Sequence, residues 1–405
     1  MKTQQGVTHP ASKRERAKVI AAGLCALILT VGLARFAYTP MLPIMRSETG
    51  LSMVSGGWLA TWNYAGYMAG ALIAANLSRL ESKYVFYRVG LVLGVITTLA
   101  MGFTQSLVLW DVLRFFSGIA AVSGSLLASG LVLDWQIRKG HKPELGLHFM
   151  GMGAGILLSG VAVQFLSAHW TWDADWIGLG LLGSLFFFFA WTWMPAPVSH
   201  DGRTSRDAHD VPSRSWTRLL SLSYLCAGYG YVVSATFIVD IVDRLPAFAG
   251  RGNWVWVVVG LAAIPASFIW DGVARRWGIV EALIAAFLLQ ALSIILPVLT
   301  REAAWIALSA ILFGATFIGI VSLTLALVGR HYPGNPAKAM ARMTLSYCVA
   351  QIVAPVVTGY LSAHFGNYNA ALIFVAGVMM VGIVFLGRLV RTPVFLSNGA
   401  GTPTK

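Results

Sequence analysis

Residues 19–40 read VIAAGLCALILTVGLARFAYTP. From Val19 to Ala34 no side chain carries a formal charge, and then Arg35 appears before the run ends. A mostly apolar stretch of about 20 residues is what a helix needs to cross the hydrocarbon core of a bilayer. The stretch therefore reads as a transmembrane helix with a cation inside it.

The composition extends that reading to the whole chain. Of 405 residues, 57% are hydrophobic and 11% charged, where soluble domains carry about a quarter charged residues. The basic residues Lys13, Arg14, Arg16 and Lys18 precede the first run as in a signal peptide. The run is too long for such a segment and lacks a small-residue cleavage site, so it reads as a retained helix. The net charge of +13 is spread between apolar segments rather than gathered on one, which argues against a nucleic-acid partner. Cys25, Cys226 and Cys348 each lie within an apolar run without metal-ligand or disulfide spacing, and read as packing residues.

Twelve such runs are expected, near 19–40, 52–77, 84–104, 107–133, 144–167, 175–195, 217–242, 253–274, 279–299, 303–328, 339–363 and 369–390. Backbone polar groups cannot stay open in lipid, and the alternation of barrel strands is absent, so the expectation is an all-α polytopic membrane protein. With both termini in the cytoplasm, the opposite loops hold only Arg46, Arg244, Arg251 and Arg301 among the 29 Lys and Arg. Two more, Arg35 and Arg114, fall inside spans toward the opposite side, and the remainder lie in the cytoplasmic segments or at the cytoplasmic ends of spans, as the positive-inside rule requires.

The polar connection near 197–216 divides the spans six and six. The expected organisation is a cytoplasmic tail at 1–18, a six-helix bundle at 19–196, a linker at 197–216, a second bundle at 217–391 and a tail at 392–405. Weak internal repetition supports two pseudo-symmetric bundles. Gly70 precedes Asn76 by six residues, and Pro265 precedes Asp271 by six, each pair followed by a short basic loop. Parallel repeats of this kind build secondary transporters.

These features resemble the major facilitator superfamily over essentially the whole chain, and GLARFAYTPMLPIM at 32–45 is similar to the first-helix signature of its bacterial YbfB/YjiJ-type branch. Asp271, Arg275 and Arg276 resemble the inner-gate motif, whose first-half copy has Asn76 in place of the acid. Arg114 to Gly118 resembles the fourth-helix motif near proton-coupling routes, and Gln351 to Pro355 resembles a pattern of this branch. Gly151-Met152-Gly153-Ala154-Gly155 is similar to an antiporter glycine motif but lacks its Gly-Pro pair, so antiport is not inferred. The resemblance implies that spans one, four, seven and ten line a central cavity.

Charge inside a span usually faces such a cavity or a partner. Arg35 and Arg114 each fall about 9 Å to one side of their span midpoints, and two guanidiniums without a central carboxylate favour an anion. Asp111 precedes Arg114 by one helical turn and is the alternative partner for either arginine, as well as the candidate proton-coupling group. Tyr38, Asn63, Tyr67, Tyr231 and Gln351 complete the substrate or gate candidates, with packing as the competing role. Tyr231 occupies the place that Arg35 holds in the first half. Glycines at helical spacing on spans two and four read as packing, and Pro355 is expected to bend its helix. His148 reads as solvated or paired with Glu144. Asp134, Asp240 and Asp243 are expected at wet span ends, and the tryptophans mostly in interfacial belts.

No catalytic, metal-binding or cofactor pattern is present, and no loop is long enough for an ATPase domain. The expectation is not an enzyme but a gradient-driven transporter of a small organic solute in the inner membrane, favouring an organic anion such as a monocarboxylate, with protons as candidate coupling ion. Drug or metabolite efflux is the alternative.

Overall fold

The computed structural model describes residues 13–141, 145–197, 212–245, 248, 250–332 and 336–394, with the backbone alone at 336–338. Much of the inter-bundle linker and both outer tails fall outside them. Among the described residues the chain is helical, without strands.

Twelve helical elements follow one another: α1 (Lys13–Thr49), α2 (Met53–Asn76), α3 (Leu80–Met101), α4 (Leu107–Arg138), α5 (Gly146–Leu166), α6 (Trp172–Trp193), α7 (Arg214–Asp243), α8 (Asn253–Ala263 with Ala266–Trp277), α9 (Ile279–Leu299), α10 (Ala303–His331), α11 (Pro336–Phe365) and α12 (Asn369–Val390). Ten are individually long and apolar enough to cross a membrane, and bent α8 makes eleven. The other, α2, has 24 residues, about 36 Å of helix, but is diluted by Gly, Trp, Tyr and Asn because it buries much of its surface in protein.

The first helix departs most from expectation. It runs past Pro40 to Thr49, and its middle, Ile28–Phe36, is wound as a π-helix. Pro40 is tolerated because it sits in the first turn of the restarted α-helix, where a missing N–H costs little.

Glycine contacts set the helix crossings. A methyl group on Gly32 would lie 2.5 Å from the Gly155 Cα, so α1 and α5 touch backbone to backbone. Gly151 faces Leu24 of α1 and Gly153 faces Ala263 and Ile264 of α8, which accounts for the alternating glycines as packing. The Gly118 methyl position meets the Asn63 carbonyl and that of Gly66 meets Phe115, locking α2 to α4. Between the halves, α2 packs on α11 through Gly57 and Gly359, and α5 on α8 through Gly153, Gly160 and Gly260. Small residues permit such approaches where lipid supplies no hydrophobic drive.

The sharp bend falls at Pro265, where the two parts of α8 meet at 47°, whereas α11 runs unbroken through Pro355. Several expected belt tryptophans are core residues: Trp176 donates to the Met45 sulfur at 3.4 Å and Trp256 to Ser159 Oγ at 3.2 Å. All three cysteines are free and buried. His148 is buried against Gly23, which leaves room for the ring by lacking a side chain; Glu144 lies outside the described residues.

Candidate functional site

The π-winding of α1 determines what surrounds Arg35. A π turn shifts the carbonyl ladder and leaves carbonyls available to other helices, a feature common at functional sites. Here α4 takes them. Arg114 donates to the Ala34 carbonyl at 3.1 Å and to the Arg35 carbonyl at 3.3 and 3.4 Å, and Ser117 Oγ donates to Ala34 at 2.7 Å. The guanidinium of Arg114 also stands 4.4 Å from the Tyr38 ring centre. Its fork is engaged by backbone, so Arg114 acts as a clamp on the π segment.

Arg35 is placed differently. It is 6% exposed and, like Arg114, makes no ion pair among the described residues and has an Nε without a hydrogen-bond partner; unlike Arg114, it has no carbonyl of the described residues on its fork. Ring faces hold it instead: the guanidinium carbon is 4.6 Å from the centre of Tyr64 and 4.4 Å from that of Tyr67. Cation–π contacts of this kind contribute up to ~2 kcal/mol when desolvated, less than the cost of burying an isolated charge. The site is short of negative charge.

Asp111 does not supply it. The structure joins Asp111 to neither arginine; its side-chain interaction is with Trp62 of α2. The helical spacing permitted the Arg114 pair, but Arg114 turns inward to the freed carbonyls.

The other half faces the same point. Tyr231 of α7 lies near Arg35, stacks with Tyr347 at 5.8 Å and Phe313 at 6.4 Å and meets Phe317 tilted at 5.4 Å, while Tyr224 stacks on Tyr347 at 4.5 Å. A polar cavity of about 10 Å³, room for roughly one water, lies between Arg35, Arg114, Asn63, Tyr64, Tyr38 and Thr236. Asn63 donates to the Arg114 carbonyl at 3.0 Å, Tyr38 to the Gly56 carbonyl at 2.8 Å, and Ser125 to the Tyr67 hydroxyl at 3.4 Å. Gln351 is buried on α11 with its Oε1 unpaired; the adjacent Ile352 carbonyl accepts from Thr61 of α2 at 2.8 Å.

The ends of the bundle differ. At the end away from the chain termini, α1 and α7 are tied together. Arg46 bonds both oxygens of Asp240, at 2.8 and 2.6 Å; Tyr368 donates to Asp240 at 2.5 Å and Arg244 stands 3.4 Å away. Thr39 donates to the Ala235 carbonyl between the same helices. Asp240 is 4% exposed, contrary to the wet position expected from its place at a span end, because three partners satisfy it. Asp243 accepts from the Gly250 and Gly252 amides and Asp134 pairs with Arg138, both local roles. At the terminal end Asp271, Arg275 and Arg276 are exposed and outside any ion pair among the described residues, and Asn76 bonds its own helix at Leu72.

Sequence reasoning missed Tyr64, although it adjoins Asn63 and sits one turn from Tyr67, since it fell off the glycine stripe. It also missed Tyr347, Phe313 and Phe317, which lie within apolar runs without a distinguishing pattern.

The profile of the family described as "Uncharacterised MFS-type transporter YbfB" matches residues 27–386. The chain belongs to the major facilitator superfamily. It is a membrane transporter and not an enzyme. Among its relatives, "Probable sulfoacetate transporter SauU" of Cupriavidus necator is 24% identical, covering 91% of this chain and 92% of that one. "Uncharacterized MFS-type transporter YceJ" of Bacillus subtilis is 24% identical, covering 65% and 69%. Among solved structures, the nucleoside transporter NupG superposes with a TM-score of 0.74 at 12% identity, covering 94% and 100%. A bacterial homologue of the lysosomal transporter Spinster, described as inward-facing and occupied, gives 0.71 at 14%, covering 95% and 98%. The fold of this transporter is thus that of the superfamily.

Proposed function

We propose that this transporter is a secondary active carrier of a small organic anion, a carboxylate or sulfonate, working by alternating access. The observation that carries the reading is Arg35: a buried guanidinium held by two tyrosine rings between the two halves, with no carboxylate paired to it among the described residues. An anion entering there completes a charge pair in a low-dielectric site and is held bidentately. The relative named as a probable sulfoacetate transporter supports the same class.

In this reading the chain lies in the bacterial inner membrane with both termini cytoplasmic, and residues 19–196 rock against 217–391. The Arg46–Asp240 tie then closes the periplasmic end, while the exposed inner-gate motif is disengaged. Arg114 shapes the π segment that presents Arg35, and Tyr231 closes the site from the other half. Protons are the coupling ion, with Asp111 as the carboxylate that titrates.

Ligand binding to the folded state raises its apparent stability, by ~2.7 kcal/mol at a hundred times Kd. Sulfoacetate and short monocarboxylates are expected to raise the thermal midpoint of the purified protein, and their uncharged amides not to. Equal shifts by amides and acids would discard the anion.

A further inference from the structure

A second basic site lies outside the path between the halves. At the terminal end of the second half, Ser215 and Arg218 at the start of α7 and Arg388, Arg391 and Thr392 at the end of α12 surround an open cavity of about 510 Å³. None of the three arginines forms an ion pair among the described residues, and all are exposed. Hydrogen bonds fix this corner: Ser213 N–H donates to the Val394 carbonyl at 2.6 Å and Ser213 Oγ to the Pro393 carbonyl at 3.1 Å. The chain leaving α12 is thereby pinned over the start of α7.

Arg275 and Arg276 at the same end, by contrast, adjoin on a single helix. Here two helices converge three guanidiniums on one concavity. Guanidinium forks match phosphate oxygens bidentately, and basic pockets between transmembrane helices at a membrane surface take anionic headgroups.

The surface beside the cavity distinguishes a lipid from a soluble anion. One turn from Arg218 toward the helix middle is Leu222, 43% exposed, and one turn from Arg388 is Val384, 54% exposed. Both helices thus run from a basic end to an apolar face open to acyl chains. We infer that the groove between the start of α7 and the end of α12 binds the phosphodiester headgroup of an anionic membrane lipid, in the leaflet facing the termini.

The test uses the full chain in nanodiscs of phosphatidylcholine doped with phosphatidylglycerol, with retained phosphatidylglycerol counted by native mass spectrometry. Replacing Arg218, Arg388 and Arg391 together by Gln should abolish retention, at roughly five-fold in affinity per arginine, and Arg388→Gln alone should weaken it. A control with Arg275, Arg276 and Arg330 changed to Gln removes equal charge from the same end and should retain the lipid. Unfolding midpoints in pure phosphatidylcholine should agree among the variants that are compared. Equal retention by the triple variant and the control overturns the site. Displacement of the lipid by millimolar inorganic phosphate also overturns it, because the ligand is then a soluble anion.

Discussion

Arg46 grips Asp240 across the boundary between the first and seventh helices, one guanidinium nitrogen lying 2.8 and 2.6 Å from the two carboxylate oxygens. Tyr368 adds a third hydrogen bond from α12. Breaking a buried ion pair costs up to ~3–5 kcal/mol, reduced for Arg46→Ala because Arg244 and Tyr368 still reach Asp240. Arg46→Ala and Asp240→Ala should therefore each open this end of the bundle, and the double variant should cost little more than either. The readout is the labelling rate of a cysteine placed at Thr236, in a background with Cys25, Cys226 and Cys348 replaced, by an impermeant thiol reagent. Unchanged labelling in both single variants would show that the pair is no seal.

Arg114 should behave as a structural residue. Its fork spans two carbonyls of the π segment, a geometry that a lysine ammonium cannot reproduce. Arg114→Lys should lower stability by ~1–3 kcal/mol, seen as a lower unfolding midpoint in detergent. A lysine variant with native stability and no transport would instead make Arg114 a substrate ligand.

The contact of α1 with α5 gives a sharper test of packing. Gly32→Ala and Gly155→Ala drive a methyl group to 2.5 and 2.8 Å from the facing glycine Cα, an overpacking cost of ~1–3 kcal/mol. Gly130→Ala meets open space and should be neutral or stabilising by up to ~1 kcal/mol, as expected for a helix interior. Thermal unfolding of the three variants in one detergent separates these outcomes.

How far the sequence reached follows from which physics is local. The spans were legible because each apolar run answers to the bilayer alone, and Arg35 because a charge within such a run stands out. The π-winding was not legible: it depends on Gly32 seating against Gly155 and on Arg114 reaching across from α4, contacts with no signature in α1 itself. That Asp111 pairs with neither arginine was not legible for the same reason, since spacing permits a pair but the neighbouring helix decides it. Asp240 read as a wet span end because its partners, Arg46 and Tyr368, lie 194 and 128 residues away.

The central claim is that the unpaired guanidinium of Arg35 receives the substrate anion. Truncating one partner of a buried, hydrogen-bonded charge pair costs ~2–5 kcal/mol, roughly thirty-fold or more in affinity. Sulfoacetate flux into proteoliposomes should therefore vanish for Arg35→Ala and persist in part for Arg35→Lys, with both variants folded by their unfolding midpoints. Undiminished flux in the folded alanine variant would contradict the account.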